Sequence, residues 1–193
     1  MATDYTREQQ AFSRACIQEA LFLLMQDRPL DEITISAISE RSGISRMGFY
    51  RNYKSKTDVL NDYFAGEMGH LTATLAEIEP LNAENITPKY FQLIKDDSDK
   101  LALAISAGGD QVLFDVFVTT IGKFFTDNMR RPWFTGSYAD YWKRFVTAGL
   151  YAITVQWIKE DFRTPIPTLI SVTNHLVAQA PTNISKAEIN SDK

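Results

Sequence analysis

Apolar residues recur along this chain at three- and four-residue steps almost throughout, with no strict apolar/polar alternation of useful length. That period belongs to amphipathic helices and not to half-buried strands. A first helix spans about residues 6–26, with Phe12, Cys16, Ala20, Leu23 and Leu24 on one face. "DRPLDE" then breaks it, because Pro29 lacks an N–H and clashes with the preceding turn. A short helix is predicted over 35–42, with Thr34 as N-cap, Ile35 and Ile38 inward, and Ser36, Ser39 and Glu40 outward. Gly43 ends it at a turn needing the positive φ that glycine adopts without steric cost. Ser45 can cap a second short helix over 46–52. Ser55 and Asp58 have capping-box spacing and open a helix through Val59, Leu60, Tyr63, Phe64 and Met68 to about residue 78.

The second half continues in the same period. Residues 80–88 read as a loop, followed by short helical pieces over 88–95 and 99–106. Over 110–128, Phe114, Phe117, Ile121 and Phe124 oppose Asp115, Thr119 and Lys123, a clear amphipathic helix. "RRPWFTGS" is a loop. The helix over 138–160 is apolar nearly all round in its second half, so core or a partner chain must cover every side. "DFRTPIP" interrupts, and 166–178 forms a last helix with Ile166, Leu169, Ile170, Leu176 and Val177 on one face. The tail from Pro181 is polar and reads as disordered. The expected class is all-α.

Composition sharpens this picture in one place. At 45% apolar and 23% charged over 193 residues, the chain is an ordinary globular protein with length enough for a core. Its net charge is −4, so the molecule as a whole does not advertise nucleic-acid or anionic-membrane binding. Residues 1–60 nevertheless balance eight Lys/Arg against eight Asp/Glu, and Arg41 to Thr57 holds five cations and no acid. A local positive patch in an acidic protein is more informative than a global excess. Cys16 is alone and reads as a small core hydrophobe. His70 and His175 are far apart, with no Cys nearby, so a metal site is not expected. The N-terminus has no apolar secretion region, and the uncharged run Phe145–Ile158 falls short of the ~20 residues that span a bilayer. The expected location is the cytoplasm.

A capped short helix, a glycine turn and a second capped short helix make the helix-turn-helix pattern, whose second helix enters a DNA major groove. Ile38, Ile44, Phe49 and Tyr53 can pack inward. Arg46 and Tyr50, like Met47 and Arg51, are four apart and share the outer side. Gly48 within a helix costs about 1 kcal/mol relative to Ala, which a close backbone approach to DNA or a neighbouring helix would explain. Lys56 opposes the dipole of the helix it opens, by roughly 0.3–1 kcal/mol, and a DNA phosphate there would meet both the lysine and the free amides.

These residues carry a resemblance. "EITISAISERSGISRMGFYRNYKSKTDVL", residues 32–60, resembles the DNA-binding domain of the TetR family of bacterial repressors. The matching positions are Thr34, Ile38-Ser39, Ser42-Gly43-Ile44-Ser45, Phe49-Tyr50, Tyr53 and Ser55-Lys56. The similarity covers about 45 residues with the preceding helix; beyond it, only the helical layout and "QWIKEDF" before Pro165 are similar. Ser39 and Ser42 replace the family's usual alanines, Asn52 stands where His is frequent, and Met47 is bulky where small residues are common. The resemblance implies that Thr34, Tyr50 and Lys56 contact phosphates. Ser36, Ser45, Arg46 and Met47 lie at or near base edges, Arg51 and Asn52 touch base or backbone, and Phe49 is core. Arg46 is the best candidate for a bidentate guanine contact, worth about 1–3 kcal/mol of discrimination.

The family also places an inducer pocket among the later helices. Fourteen aromatics lie between Tyr90 and Trp157; most serve as core, yet few charges interrupt them. Phe91, Phe114, Phe117, Val118 and Trp142 are the candidate lining, with Tyr141 and Tyr151 offering hydroxyls. Residues 138–178 would form a four-helix dimer interface with a second copy. The domains implied are 1–56 for DNA, 57–180 for effector and dimerisation, and a polar tail 181–193.

The expected function is therefore a homodimeric DNA-binding regulator, a repressor released from a palindromic double-stranded operator by a small-molecule effector. It is not an enzyme: the sequence has no paired carboxylates at useful spacing, no nucleophile–His–acid set, no metal pattern and no Gly-rich phosphate loop. No cofactor or membrane partner is expected. A helical small-molecule carrier or enzyme, and a constitutive DNA binder without an effector, are the alternatives.

Overall fold

The computed structural model describes the backbone of residues 2–128 and 136–178, and the side chains of residues 7–128 and 136–175. Among the described residues the fold is all-α, with nine helices and no strand. They are α1 (Ala2–Met25), α2 (Ile35–Ser42), α3 (Arg46–Asn52), α4 (Lys56–Ala76), α5 (Ala83–Asp96), α6 (Asp99–Ser106), α7 (Asp110–Asn128), α8 (Gly136–Lys159) and α9 (Ile166–Ala178). A 3-10 turn, Leu30–Glu32, joins α1 to α2.

The short helices start where their side chains supply acceptors. Thr34 Oγ1 accepts from the Ala37 amide at 3.1 Å, and Ser45 Oγ accepts from the Gly48 amide at 3.1 Å. Each satisfies one of the orphan donors of a helix start. Gly43 closes α2 at φ +71°, the left-handed conformation that favours glycine. At α4, Ser55 and Asp58 cap each other reciprocally, and Asp58 also accepts from the Lys54 amide at 2.9 Å.

One continuous core runs through the molecule. Ile17 and Leu21 of α1 meet Ile38 and Phe49, and the cluster continues along α4 through Val59, Leu60 and Phe64 to Phe91, Phe117 and Trp157. In the second half the rings meet edge to face, a favoured geometry. Phe91 and Trp157 lie 5.5 Å apart at 87°, and Phe117 and Tyr151 lie 5.4 Å apart at 61°. The two halves are moored to each other by small polar ties. The Leu30 amide donates to the Ala107 carbonyl at 2.8 Å. The Lys100 ammonium sits 5.1 Å from the Phe22 ring centroid, 4.9 Å from that of Tyr63, and 3.3 Å from Glu19.

Several local expectations change. Phe12 is 67% exposed, because the buried face of α1 is the one carrying Ile17, Leu21, Phe22 and Met25. Ser39 points inward; its Oγ is buried and has no partner among the described residues. The loop expected over 80–88 is shorter. Asn82 accepts from the Asn85 amide at 3.0 Å and starts α5 at Ala83, so Pro88 lies inside that helix. The helix α8, expected to be covered by core or by a partner chain, is not covered on every side by the described residues of one chain. Tyr151, Val155 and Ile158 are buried, while Tyr141 and Phe145 are 76% and 71% exposed and Ala152 faces solvent too. Cys16 is half-buried. Most of the loop "RRPWFTGS", the side chains of Leu176 and Val177, and the tail from Pro181 lie outside the described residues.

Candidate nucleic-acid interface

A seven-residue helix cannot hold itself in water, so α3 depends on what grips it. Phe49 is fully buried beneath it. At its C-terminal end Tyr53 is buried, and its hydroxyl donates to Asp62 of α4 at 2.7 Å. From α1, Arg14 Nε and Gln18 Nε2 donate to the same hydroxyl at 3.2 and 3.1 Å. Arg14 forms an ion pair with Asp62, and Gln18 donates to Asp62 at 2.9 Å. The guanidinium also lies 5.2 Å from the Tyr53 ring centroid. Four side chains thus bind α1, α3 and α4 into one unit. Burial pushes the Tyr53 hydroxyl above the ordinary phenol value, with Arg14 pulling it down and Asp62 raising it. The tyrosine therefore stays a neutral donor. The hint in the sequence was Arg14 and Gln18, four apart beside the Ile17/Leu21 face, but their partners lie 35 to 48 residues away.

Gly48 answers a specific steric demand. A Cβ built there would stand 2.7 Å from Ile44 Cγ2, inside contact distance. The close approach is to the turn residue, which packs against the core beneath α3.

The outer face is bare. Met47 is 79% exposed and Tyr50 52%, and Thr34, Ser36, Ser45, Arg46 and Arg51 are exposed beside them. Arg46 and Arg51 form no ion pair with any described residue. The Tyr50 ring leans edge-on against Phe49 at 5.7 Å, which fixes the ring and leaves its hydroxyl outside. Arg46, Met47 and Tyr50 therefore present one cation, one flexible apolar side chain and one hydroxyl from a braced helix. That set can read a base edge, contact a thymine methyl and hold a phosphate.

Two of the predicted contact residues are occupied at home. Asn52 folds back, its Nδ2 donating to the Gly48 carbonyl at 2.8 Å while its Oδ1 is buried without a partner among the described residues. The Lys56 ammonium donates to the carbonyls of Asp31 and Ile33 at 2.7 and 2.8 Å. Those carbonyls end the 3-10 turn, and they offset the lysine's unfavourable position at a helix start. An ammonium has three donors, so one is still free for a phosphate.

The seven residues predicted for an effector do not converge. Phe117 and Tyr151 border a cavity of ≈ 20 Å³, about one water in size. Phe91 is fully buried against Tyr90 and Trp157; Phe114 packs on Tyr151, and Trp142 on Phe125. Val118 is half-buried and Tyr141 faces solvent. The Tyr151 hydroxyl donates to the Asp110 carboxylate at 2.6 Å and its carbonyl at 2.9 Å. Burial and then Asp110 raise that hydroxyl far above the ordinary phenol range. A larger cleft of ≈ 160 Å³ adjoins the small cavity between α4, α5 and α6, sharing Phe64, Met68, Ile94 and Leu101 with it, and sequence reasoning missed it. Among the described residues no group of His, Cys, Asp and Glu is placed to hold a metal ion, and no helix is long and apolar enough to cross a membrane.

The family model described as bacterial regulatory proteins, tetR family, matches residues 17–63, the segment from α1 into α4. This is a TetR-family helix-turn-helix domain. Solved structures extend the likeness of fold over most of the chain. The dihydroxyacetone kinase operon activator DhaS is 18% identical, with a TM-score of 0.55 over 86% of this chain and 95% of its own. The fatty acid degradation regulator FadR from Bacillus halodurans is 14% identical, with a TM-score of 0.56 over 89% and 97%. A TetR transcriptional regulator from Rhodococcus sp. RHA1 is 12% identical, with a TM-score of 0.51 over 92% and 100%. A search of curated proteins finds no match. The likeness of fold thus extends over most of the chain, and the family match covers residues 17–63.

Proposed function

We propose that this TetR-family regulator acts as a cytoplasmic homodimeric repressor, with residues 1–56 binding a palindromic operator and 57–180 binding effector and partner copy. The observation that carries the DNA reading is the outer face of α3. Arg46, Met47, Tyr50 and Arg51 are exposed on a seven-residue helix that a buried phenylalanine and a four-residue polar cluster hold in place. Two such helices in a dimer would enter successive major grooves about 34–36 Å apart.

The stripe Tyr141, Phe145 and Ala152 on α8, with Val172 on α9, supports the dimer. A single chain leaves this apolar surface uncovered, and a second copy would bury it against itself. An effector would act by binding more tightly to the conformer that cannot hold DNA. An enzymatic role has no support in the site, which presents side chains for recognition and no nucleophile–base pair.

The test is fluorescence anisotropy on the DNA upstream of the protein's own gene, across a salt series. Binding should weaken steeply with salt, and Arg46→Ala should reduce the preference for that sequence over random DNA. Equal affinity of wild type and Arg46→Ala for both DNAs would refute operator recognition by α3. The likeness to the activator DhaS supports a second reading, activation. A reporter fused to the upstream region decides the sign: expression should rise when the regulator is deleted, and a fall would assign activation.

A further inference from the structure

The cleft of ≈ 160 Å³ between α4, α5 and α6 has two kinds of wall. Phe64, Met68 and Leu71 of α4 face Leu93 of α5 and Leu101 of α6 across an apolar interior. That space is close to the ~150 Å³ cavity that holds a benzene ring. At its polar side stand Glu67 of α4 and Asp97 at the end of α5, with Tyr63 and Lys100 beside them and His70 exposed at the rim. Lys100 does not serve these carboxylates as a dedicated partner. Its ammonium is paired with Glu19 and lies over the rings of Phe22 and Tyr63.

Two carboxyl groups therefore share one side of a small apolar cleft with Lys100, whose ammonium is ion-paired with Glu19. The Glu67 carboxyl is held above its ordinary value, first by burial, then by a hydrogen bond with the Asp97 carboxyl and by its charge. His70 and Lys100 oppose this and do not cancel it. Two carboxyls lining one side of an apolar cleft make an incomplete cation site: a positive group placed between them would offset both charges. An anion would meet two acids and a lysine already paired, and a neutral arene would leave the carboxyls unused.

We propose that this cleft binds a small organic ammonium ion, its nitrogen between Glu67 and Asp97 and its one-ring hydrocarbon body against Phe64, Met68 and Leu101. The proposal rests on the reading of the later helices as the effector-binding region, and gives that region its ligand class and position. The ligand would stand on α4, whose first residue is Lys56, and beside the lysine that ties α6 to α1.

The experiment is calorimetric titration of the full-length protein with phenethylammonium, with 3-phenylpropanoate as the anion of matched shape. Phenethylammonium should bind one molecule per chain. Glu67→Gln and Asp97→Asn should each weaken it at least about tenfold, the loss of one charge-assisted hydrogen bond. Leu101→Trp, which fills the apolar end, should abolish it in protein whose helicity is unchanged. Equal or tighter binding of 3-phenylpropanoate, no heat from the ammonium at millimolar concentration, or binding indifferent to both carboxyl variants would each overturn the site. Operator affinity measured in the same samples separates the two readings. Ammonium binding without any change in DNA affinity upholds the site and defeats the effector role. Release of DNA by another class of compound, with no ammonium binding, upholds an effector and defeats this site.

Discussion

The DNA-reading end and the aromatic end of this molecule use their rings in opposite ways. In α3 a single buried ring, Phe49, and one polar cluster around Tyr53 support a face whose cations have no ion-pair partner among the described residues. Between α5 and α8 the rings pack edge to face on one another, and the buried hydroxyls of Tyr90 and Tyr151 meet Thr154 and Asp110. The first arrangement leaves its charged side chains exposed to solvent. The second satisfies itself. An aromatic-rich stretch is therefore no sign of a pocket by itself.

The comparison can be broken most forcefully at its two buried phenylalanines. Phe49→Ala and Phe91→Ala should each cost about 3–5 kcal/mol in urea unfolding, the usual loss for a fully buried ring. Only Phe49→Ala should also lower the operator affinity of the protein that remains folded. If Phe91→Ala does so equally, the two ends do not work separately. Next comes Asp62→Ala, which leaves Arg14, Gln18 and Tyr53 without their acceptor. The cluster is about one-third exposed, so the expected cost is about 1–2 kcal/mol, with a larger fractional loss in DNA binding than in helicity.

Lys56→Met is smaller and sharper. Losing two carbonyl partners should cost about 1 kcal/mol in stability. If its third donor also meets a phosphate, the slope of log affinity against log salt falls by about 1. An unchanged slope assigns the lysine to the protein's own architecture. The smallest effect is that of Glu67→Gln on the pH dependence of stability. Its carboxyl is raised above the ordinary 4.5, so the native state binds more protons than the unfolded chain. Wild-type stability should fall as pH rises from that ordinary value through the raised one. The variant should lose this slope and be no less stable at pH 7. A melting series showing the same slope in both proteins would mean that Glu67 does not titrate as described.

What was legible in the sequence was chemistry that closes within a few residues. Thr34, Ser45 and the Ser55–Asp58 pair cap helices through atoms three positions away, and Gly43 answers a single backbone angle. Lys56 looked misplaced because its carbonyl partners lie 23 and 25 residues earlier, brought near only by the turn at Leu30–Glu32. The start of α5 was hidden by Pro88, although Asn82 already carried the capping signal three residues before Asn85. The inward turn of Ser39 broke the simple apolar-in rule and had no local sign. The cleft was illegible for a different reason. Its carboxyls stand on α4 and just past the end of α5, and its apolar wall on three helices, so no spacing within one helix announces it.

Unbroken helix runs from Glu67 back to Lys56, eleven residues, or roughly 16 Å at 1.5 Å per residue. A rod of that length tilted by about five degrees at the cleft moves its far tip by roughly 1.4 Å. In a two-fold assembly the symmetry-related tip would move as well, and the two displacements would add. A guest no larger than a single ring could then spoil a fit measured over a full turn of duplex.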